Sequence, residues 1–179
     1  MVFLPTIELY FLRHGLAGQY GDPQYKDDSL RPLTKQGKEK MHYEARGMKA
    51  LGLTFDAIYS SPYLRAQQTD EIVAKTYQIK NKAILLTDKL LPPASIKELL
   101  KVVQALSPKS KNILCVGHEP HLTQMIADLL KCDGPIVLKK GGLCHLTMGV
   151  AKQEAALNCL LPPSVLVKIA SSDPLDPIL

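Results

Sequence analysis

The sequence lacks the features that mark nucleic-acid-binding proteins, membrane-spanning proteins and proteins with cysteine-based zinc or redox sites. Aromatic residues make up 6% of its 179 residues, and they form no motif of the kind on which nucleic-acid bases stack. No apolar run approaches the roughly 20 residues that a membrane-spanning helix needs. The 4 cysteines have neither zinc-ligand nor redox spacing. We therefore expect a protein that binds neither nucleic acid nor a membrane.

What is present is typical of a globular protein, with 46% hydrophobic and 22% charged residues. The length allows one domain with a sizeable core, which we expect to cover 1–170. Residues 171–179 contain prolines and aspartates, and we expect a flexible tail there. Residues 1–4 lack a basic flank, so we expect no signal peptide, and the unpaired cysteines favour a cytoplasmic location.

The net charge of +5 comes partly from lysines that are spread along the chain. We interpret them as a solvated surface, although a positive field that attracts an anionic substrate is a second reading. These lysines are Lys35, Lys38, Lys40, Lys49, Lys109, Lys111, Lys139 and Lys140.

Apolar runs alternate with helical patterns along the chain. This alternation predicts an α/β fold with a mostly parallel sheet flanked by helices and without a large insertion subdomain. Strands are predicted at 7–12, 57–60, 83–86, 112–116, 143–148 and 155–161, the last two at a sheet edge. Helices are predicted at 35–51, 64–77, 96–106 and 120–130, with Thr34 and Ser95 as N-caps. A short terminal segment begins at Pro162.

Three of the predicted strands end in cationic or imidazole groups. Arg13, His14 and Gly15 follow the first strand, Arg65 begins the helix after the second, and His118 follows the fourth. Because ligands bind at the carboxyl ends of parallel strands, these groups should meet at one edge. Helix N-termini also favour anions. The pattern predicts a site for an anion, most simply a phosphate.

These segments resemble the histidine phosphatase superfamily, which includes the cofactor-dependent phosphoglycerate mutases. The resemblance runs from about residue 7 to about residue 148, and the short SixA-type phosphohistidine phosphatases are most similar. Three features of this sequence point to that group: Arg31-Pro32-Leu33-Thr34, Leu90-Leu91-Pro92 and the compact length. The matching positions are Arg13, His14, Gly15, Ser61, Pro62, Arg65, Ala66, Gln68, Thr69, Gly117 and His118.

The resemblance implies a phosphatase that needs no cofactor. His14 would attack phosphorus, and neighbouring Arg13 and Arg65 would lower its pKa and bind phosphate oxygens. A protonated His118 would supply a further hydrogen bond, and water would then hydrolyse the phosphohistidine intermediate. Arg31 is expected near the phosphate.

The general acid is where the chain departs from the family pattern. The expected Leu-x-Glu corresponds to Leu90-Leu91-Pro92, which has no carboxylate. Asp28 is a candidate, although a solvated loop acid is the simpler interpretation. The direction of Glu119 is open, and neither Asp88 nor Glu98 matches the motif.

A site without a strong acid suits an N-linked phosphate, because imidazole is a better leaving group than an alkoxide. Only 52 residues separate Arg65 from His118, which leaves little room for a lid. We therefore expect an open site that acts on phosphohistidine in a protein substrate.

Three alternatives remain. A broad-specificity phosphomonoesterase is the first, and a phosphate-binding scaffold without activity is the second. A metal-dependent hydrolase would use His118 and His121 with His14, but Pro120 argues against a ligand pair in the middle of a helix, and we expect no metal.

Overall fold

The fold is built on one mixed sheet that runs through the described residues, 6–80, 83–105, 111–149 and 154–172, of a computed structural model. Its strands are β1 (Thr6–Arg13), β2 (Ala57–Ser60), β3 (Ile84–Leu86), β4 (Asn112–Gly117), β5 (Leu143–Gly149) and β6 (Ala155–Leu161). The helices are α1 (Lys35–Ala50), α2 (Leu64–Tyr77), α3 (Ile96–Gln104), α4 (His121–Leu130) and α5 (Pro163–Ser171).

The strand order is β3-β2-β4-β1-β5-β6. The first four strands of that order pair in parallel, while β5 and β6 pair antiparallel at the far edge. The parallel strands are mostly apolar, as is typical of strands that have helices on both faces of the sheet. The predicted α/β class, with a mostly parallel sheet and two edge strands, is confirmed.

Alternate side chains of β1 enter two separate cores, as the period of a strand requires. Leu9 and Phe11 pack with α3 and α4 on one face. Tyr10 and Leu12 pack with α1, α2 and α5 on the other. Because β1 is buried on both sides, its carboxyl end is held rigidly where the chain leaves the sheet.

Most predicted boundaries agree with the structure to within one or two residues. Thr34 caps α1 through the backbone N–H of Gly37, and Ser95 forms a capping box at α3. Helix α4 begins at His121, so Pro120 precedes the helix instead of forming its first turn. The predicted end of α3 at residue 106 lies outside the described residues.

The segment after Pro162 is a helix, α5, which packs against α1. Ser171, where the tail at 171–179 is predicted to begin, is the last residue of this helix. Residues 173–179 lie outside the described residues. Within the described part of the chain, the helices are too short or too polar to cross a membrane.

Candidate active site

A pocket of about 470 Å³ opens at the carboxyl ends of β1, β2 and β4. The parallel register places Arg13 beside Gly117 and Ser60 beside Val116, so the three strands end at the same level. All six residues predicted for the site line this pocket: Arg13, His14, Asp28, Arg31, Arg65 and His118.

His14 lies directly after β1 and is fixed by its neighbours. Its backbone N–H donates to the carbonyl of Gly117 at 3.0 Å, and its ring Nδ1 lies 2.7 Å from the carbonyl oxygen of Gly15. A carbonyl oxygen can only accept, so Nδ1 carries the proton. The lone pair is therefore on Nε2, to which Arg65 Nε donates at 3.3 Å.

The pKa of His14 is lowered to about 3, chiefly by burial and further by His118, Arg65 and Arg13. The sequence predicted the contribution of the two arginines but not that of burial. A neutral imidazole with its lone pair on Nε2 is the form that attacks an electrophile.

Thr69 couples helix α2 to the turn that follows His14. Its Oγ1 accepts from the backbone N–H of Gly15 at 3.1 Å and donates to the carbonyl of Arg65 at 2.7 Å. The side chain is fully buried. This one hydroxyl therefore holds His14 and Arg65 in a defined relative position.

Asp28 organises the arginines that come from different elements. Its carboxylate accepts from Arg31 Nε at 2.8 Å and from Arg65 Nη2 at 2.9 Å, and its carbonyl accepts from Arg65 Nη1 at 2.7 Å. Burial alone would raise the pKa of this carboxyl, but the two arginines outweigh it and lower the pKa. Asp28 is therefore an ionised partner of the arginines, and its interpretation as a solvated loop acid is wrong.

Arg13 is held by the loop that precedes β5. Its Nη1 donates to the carbonyl of Leu138 at 3.0 Å. Its Nε is buried and lacks a hydrogen-bond acceptor among the described residues. Such a buried donor at a pocket wall is available to an anionic ligand.

The sequence left the charge state of His118 open. Burial, with Arg65 as the next contribution, lowers its pKa to about 3, so the ring is neutral in the free protein. Its Nε2 lies 2.7 Å from Ser61 Oγ, and that oxygen also accepts from the N–H of Tyr63. If the Ser61 hydroxyl donates to Nε2, the ring proton resides on Nδ1. A neutral His118 can thus still donate a hydrogen bond.

Sequence reasoning missed or left open three further residues that line the pocket. Glu119 is directed into it, and burial raises the pKa of its carboxyl. Tyr20 lies at the rim and is 78% exposed. Lys140 is half-buried beside the arginines, so its interpretation as part of a solvated surface is wrong. It is far from the motifs in sequence, and no local pattern marks it.

The two histidines of the alternative metal site point to different partners. His118 contacts Ser61, whereas His121 contacts the backbone of Lys89. In the part of the chain that the structure describes, no three His, Cys, Asp or Glu side chains are grouped as metal ligands would be.

Comparison with known proteins points to one family. Residues 9–88 match the model of the histidine phosphatase superfamily (branch 1). A protein of Picosynechococcus without an assigned function is 34% identical over 153 residues, which cover 83% of this chain and 90% of that protein. The phosphohistidine phosphatase SixA of Escherichia coli is 25% identical over 143 residues, covering 79% of this chain and 86% of SixA.

A solved structure of protein histidine phosphatase SixA in complex with tungstate has the same fold. Its TM-score is 0.78 at 23% identity, with 89% of this chain and 99% of that one covered. The sequence motifs, the fold and these relatives together show that the chain belongs to the histidine phosphatase superfamily and is similar to SixA.

Proposed function

We propose that this protein removes the phosphoryl group from phosphohistidine in a protein substrate, through a covalent intermediate on His14. The observation that carries the proposal is the hydrogen bond from His14 Nδ1 to the Gly15 carbonyl. It leaves the Nε2 lone pair at the pocket, beside the guanidinium of Arg65.

In the first step, His14 Nε2 forms a bond to phosphorus as the bond to the substrate nitrogen breaks. The electron pair of the broken bond returns to that nitrogen, and the substrate ring, already protonated on its other nitrogen, leaves as neutral imidazole. Arg13, Arg31 and Arg65 balance the charge of the phosphoryl oxygens, and His118 Nδ1 donates a further hydrogen bond. In the second step, water attacks phosphorus and releases inorganic phosphate and free His14.

The charge states and positions of the carboxyl groups near the site favour a substrate whose leaving group needs no proton from the protein. Asp28 is held ionised by its arginines, and Glu98 is used in the capping box of α3. Asp88 has a side chain that is 74% exposed. Glu119 is the described pocket carboxyl with a raised pKa, and a substrate ring that is already protonated leaves as imidazole without a proton from Glu119.

The surroundings of the pocket favour a phosphorylated side chain on a protein. The described part of the chain between Arg65 and His118 is occupied by the rest of α2, by β3, by a short turn at Asp88–Leu90, by α3 and by β4. These elements belong to the central sheet and its helices. The exposed ring of Tyr20 at the rim is accessible to a large partner.

A labelling experiment tests the intermediate. The protein is mixed briefly with a phosphohistidine protein carrying labelled phosphate and is quenched in alkaline detergent. We expect label on the wild type that is stable in alkali and lost in acid, and no label on His14→Ala. Label retained by a folded His14→Ala variant, or an acid-stable label, would contradict the mechanism.

Turnover rates separate the proposal from its alternatives. Dialysis against a strong chelator should leave the activity intact, because the arginines supply the positive charge. Faster turnover of sugar phosphates than of phosphohistidine peptides would identify a broad phosphomonoesterase. Tight phosphate binding without any turnover would identify a scaffold.

A further inference from the structure

A second cavity, of about 650 Å³, adjoins the phosphate pocket. The two share walls, because Arg13 and Lys140 line both. The second cavity lies where α1 and α5 meet the loop that precedes β5, and Leu16 and Val167 supply its apolar lining. The two cavities are therefore neighbours, with Arg13 and Lys140 between them.

The charged lining of the second cavity is mostly positive. Lys40 on α1, with Lys139 and Lys140 in the loop, adds to Arg13, and Glu44 is the acidic side chain among the lining residues. Helix α5 begins at the cavity with Pro163 and Ser164, so the positive end of its dipole faces the same space. This field favours an anionic group.

Glu44 is an unusual residue for such a wall. It is 3% exposed, and its Oε2 is buried without a hydrogen-bond donor in the described part of the chain. The carboxyl packs on the backbone of Gly141, where a Cβ atom would overlap it. A buried polar atom without a partner at a cavity wall indicates a ligand that supplies one.

The charge of Glu44 is compatible with an acidic ligand. Burial raises the pKa of its carboxyl to about 7, and nearby Lys40 opposes this only in part. Much of the protein therefore carries a neutral carboxyl at neutral pH. A neutral carboxyl has an O–H that donates to a carboxylate, and the lysines balance the charge of that carboxylate.

We propose that the second cavity binds an acidic side chain of the protein that carries the phosphoryl group. The substrate is then held by two anionic groups, one in each pocket, with Arg13 and Lys140 between them. This inference rests on the proposed function, since it requires a phosphorylated protein, and it specifies that the phosphohistidine has an acidic neighbour.

The test compares two phosphohistidine peptides of equal length, whose residues next to the phosphohistidine are Glu in one and Gln in the other. The quantity measured is the ratio of their kcat/KM values. We expect a ratio of about tenfold in favour of the acidic peptide, as two exposed ion pairs of up to fivefold each would allow. The ratio should fall towards one in the Lys40→Gln/Lys139→Gln double variant.

A matched control is the Lys97→Gln/Lys101→Gln double variant. Both lysines are exposed on α3, which covers the opposite face of the sheet, and this variant should keep the wild-type ratio. A ratio of one in the wild type, or an undiminished ratio in Lys40→Gln/Lys139→Gln, would overturn the inference.

Glu44→Gln supplies a second readout. The charged groups that line the cavity with Glu44 are the guanidinium of Arg13 and the ammonium groups of Lys40, Lys139 and Lys140. As Glu44 ionises through its pKa of about 7, the wild-type ratio should fall severalfold between about pH 6 and about pH 8. The ratio should stay constant in Glu44→Gln, because the amide donates a hydrogen bond at about pH 6 and at about pH 8 alike. The same decline in the variant would rule out Glu44 as the donor.

Failure of the inference is distinguishable from failure of the proposed function. If neither peptide is hydrolysed while small phosphate esters are, the proposed function is wrong. If both peptides are hydrolysed at equal rates, only the second site is wrong. If acid selectivity appears for a small phosphate ester bearing a carboxylate but not for the peptides, the cavity serves a metabolite and the inference is overturned.

Discussion

The two histidines of the site owe their charge state to burial more than to charged neighbours. His14 and His118 both have a pKa of about 3, with desolvation as the largest cause in each case. The sequence identified the residues and the arginines beside them. The degree of burial depends on packing between elements far apart in sequence, so no local pattern could have predicted it.

Asp70 shows the same effect on an acid and leads to a test of stability. It is 2% exposed, and burial raises its pKa to about 7 despite a hydrogen bond with Ser60. The unfolded chain releases this proton from about pH 4 upward, whereas the folded protein keeps it until about pH 7. The folded state thus becomes less stable as pH rises through this window.

We expect Asp70→Asn to remove this loss of stability. The free energy of unfolding of the variant relative to wild type should rise by about 1.4 kcal/mol per pH unit between pH 4 and pH 7. Urea unfolding at a series of pH values measures it. Asp133→Asn, at an exposed position, serves as the control. A pH-independent difference between Asp70→Asn and wild type would show that Asp70 is ionised in the folded protein.

At the scale of elements, the agreement between sequence and structure depends on how local the signal is. The caps at Thr34 and Ser95 were predicted because capping uses residues three positions apart. Helix α5 was missed because it is short, begins at Pro163 directly after Pro162, and is mostly apolar without a clear helical period. Its position depends on contact with α1, from more than a hundred residues earlier in the chain.

The contact between α1 and α5 gives a prediction at this scale. A Cβ atom at Gly47 would overlap the carbonyl oxygen of Leu166, so the two helix backbones approach at this glycine. Gly47→Ala should lower the free energy of unfolding by about 2 kcal/mol or more, because the clash exceeds the gain in helix propensity.

Chemical denaturation measures this effect, with Gly134→Ala as the control. A Cβ atom at Gly134 would meet nothing within 4 Å. A Gly47→Ala variant as stable as wild type would mean that α5 can move away from α1 without loss.

At the scale of the whole molecule, folding concentrates positive charge that is spread out in the sequence. Arg13, Arg31, Arg65 and Lys140 come from separate segments and line one pocket, with Asp28 and Glu119 as its acidic residues. The sequence led us to treat Lys140 as a solvated lysine because its distance from the motifs along the chain hides its proximity in space. The folded molecule presents an electropositive edge to an anionic substrate.

This charge distribution predicts a salt dependence. Raising NaCl from about 0.05 M to about 0.5 M should lower kcat/KM for a phosphorylated substrate severalfold, because the Debye length shortens to less than the width of the pocket. The value of kcat should change less, since it is measured at saturating substrate, where the substrate is already bound. Steady-state kinetics at several salt concentrations, with circular dichroism as the check on folding, measure both. A kcat/KM that is independent of salt would contradict attraction by the pocket as a whole.

The sequence by itself determined the order of the six strands and of the first four helices, the α/β class and the residues at three strand ends. These features follow from apolar periodicity, turn residues and motifs, which are all local in the chain. Only the tertiary structure decided that Asp28 is an ionised partner of two arginines, that His118 is neutral, and that Lys140 and Glu44 lie at adjoining cavities. Burial and charge balance depend on which distant segments meet, and that is set by packing across the sheet.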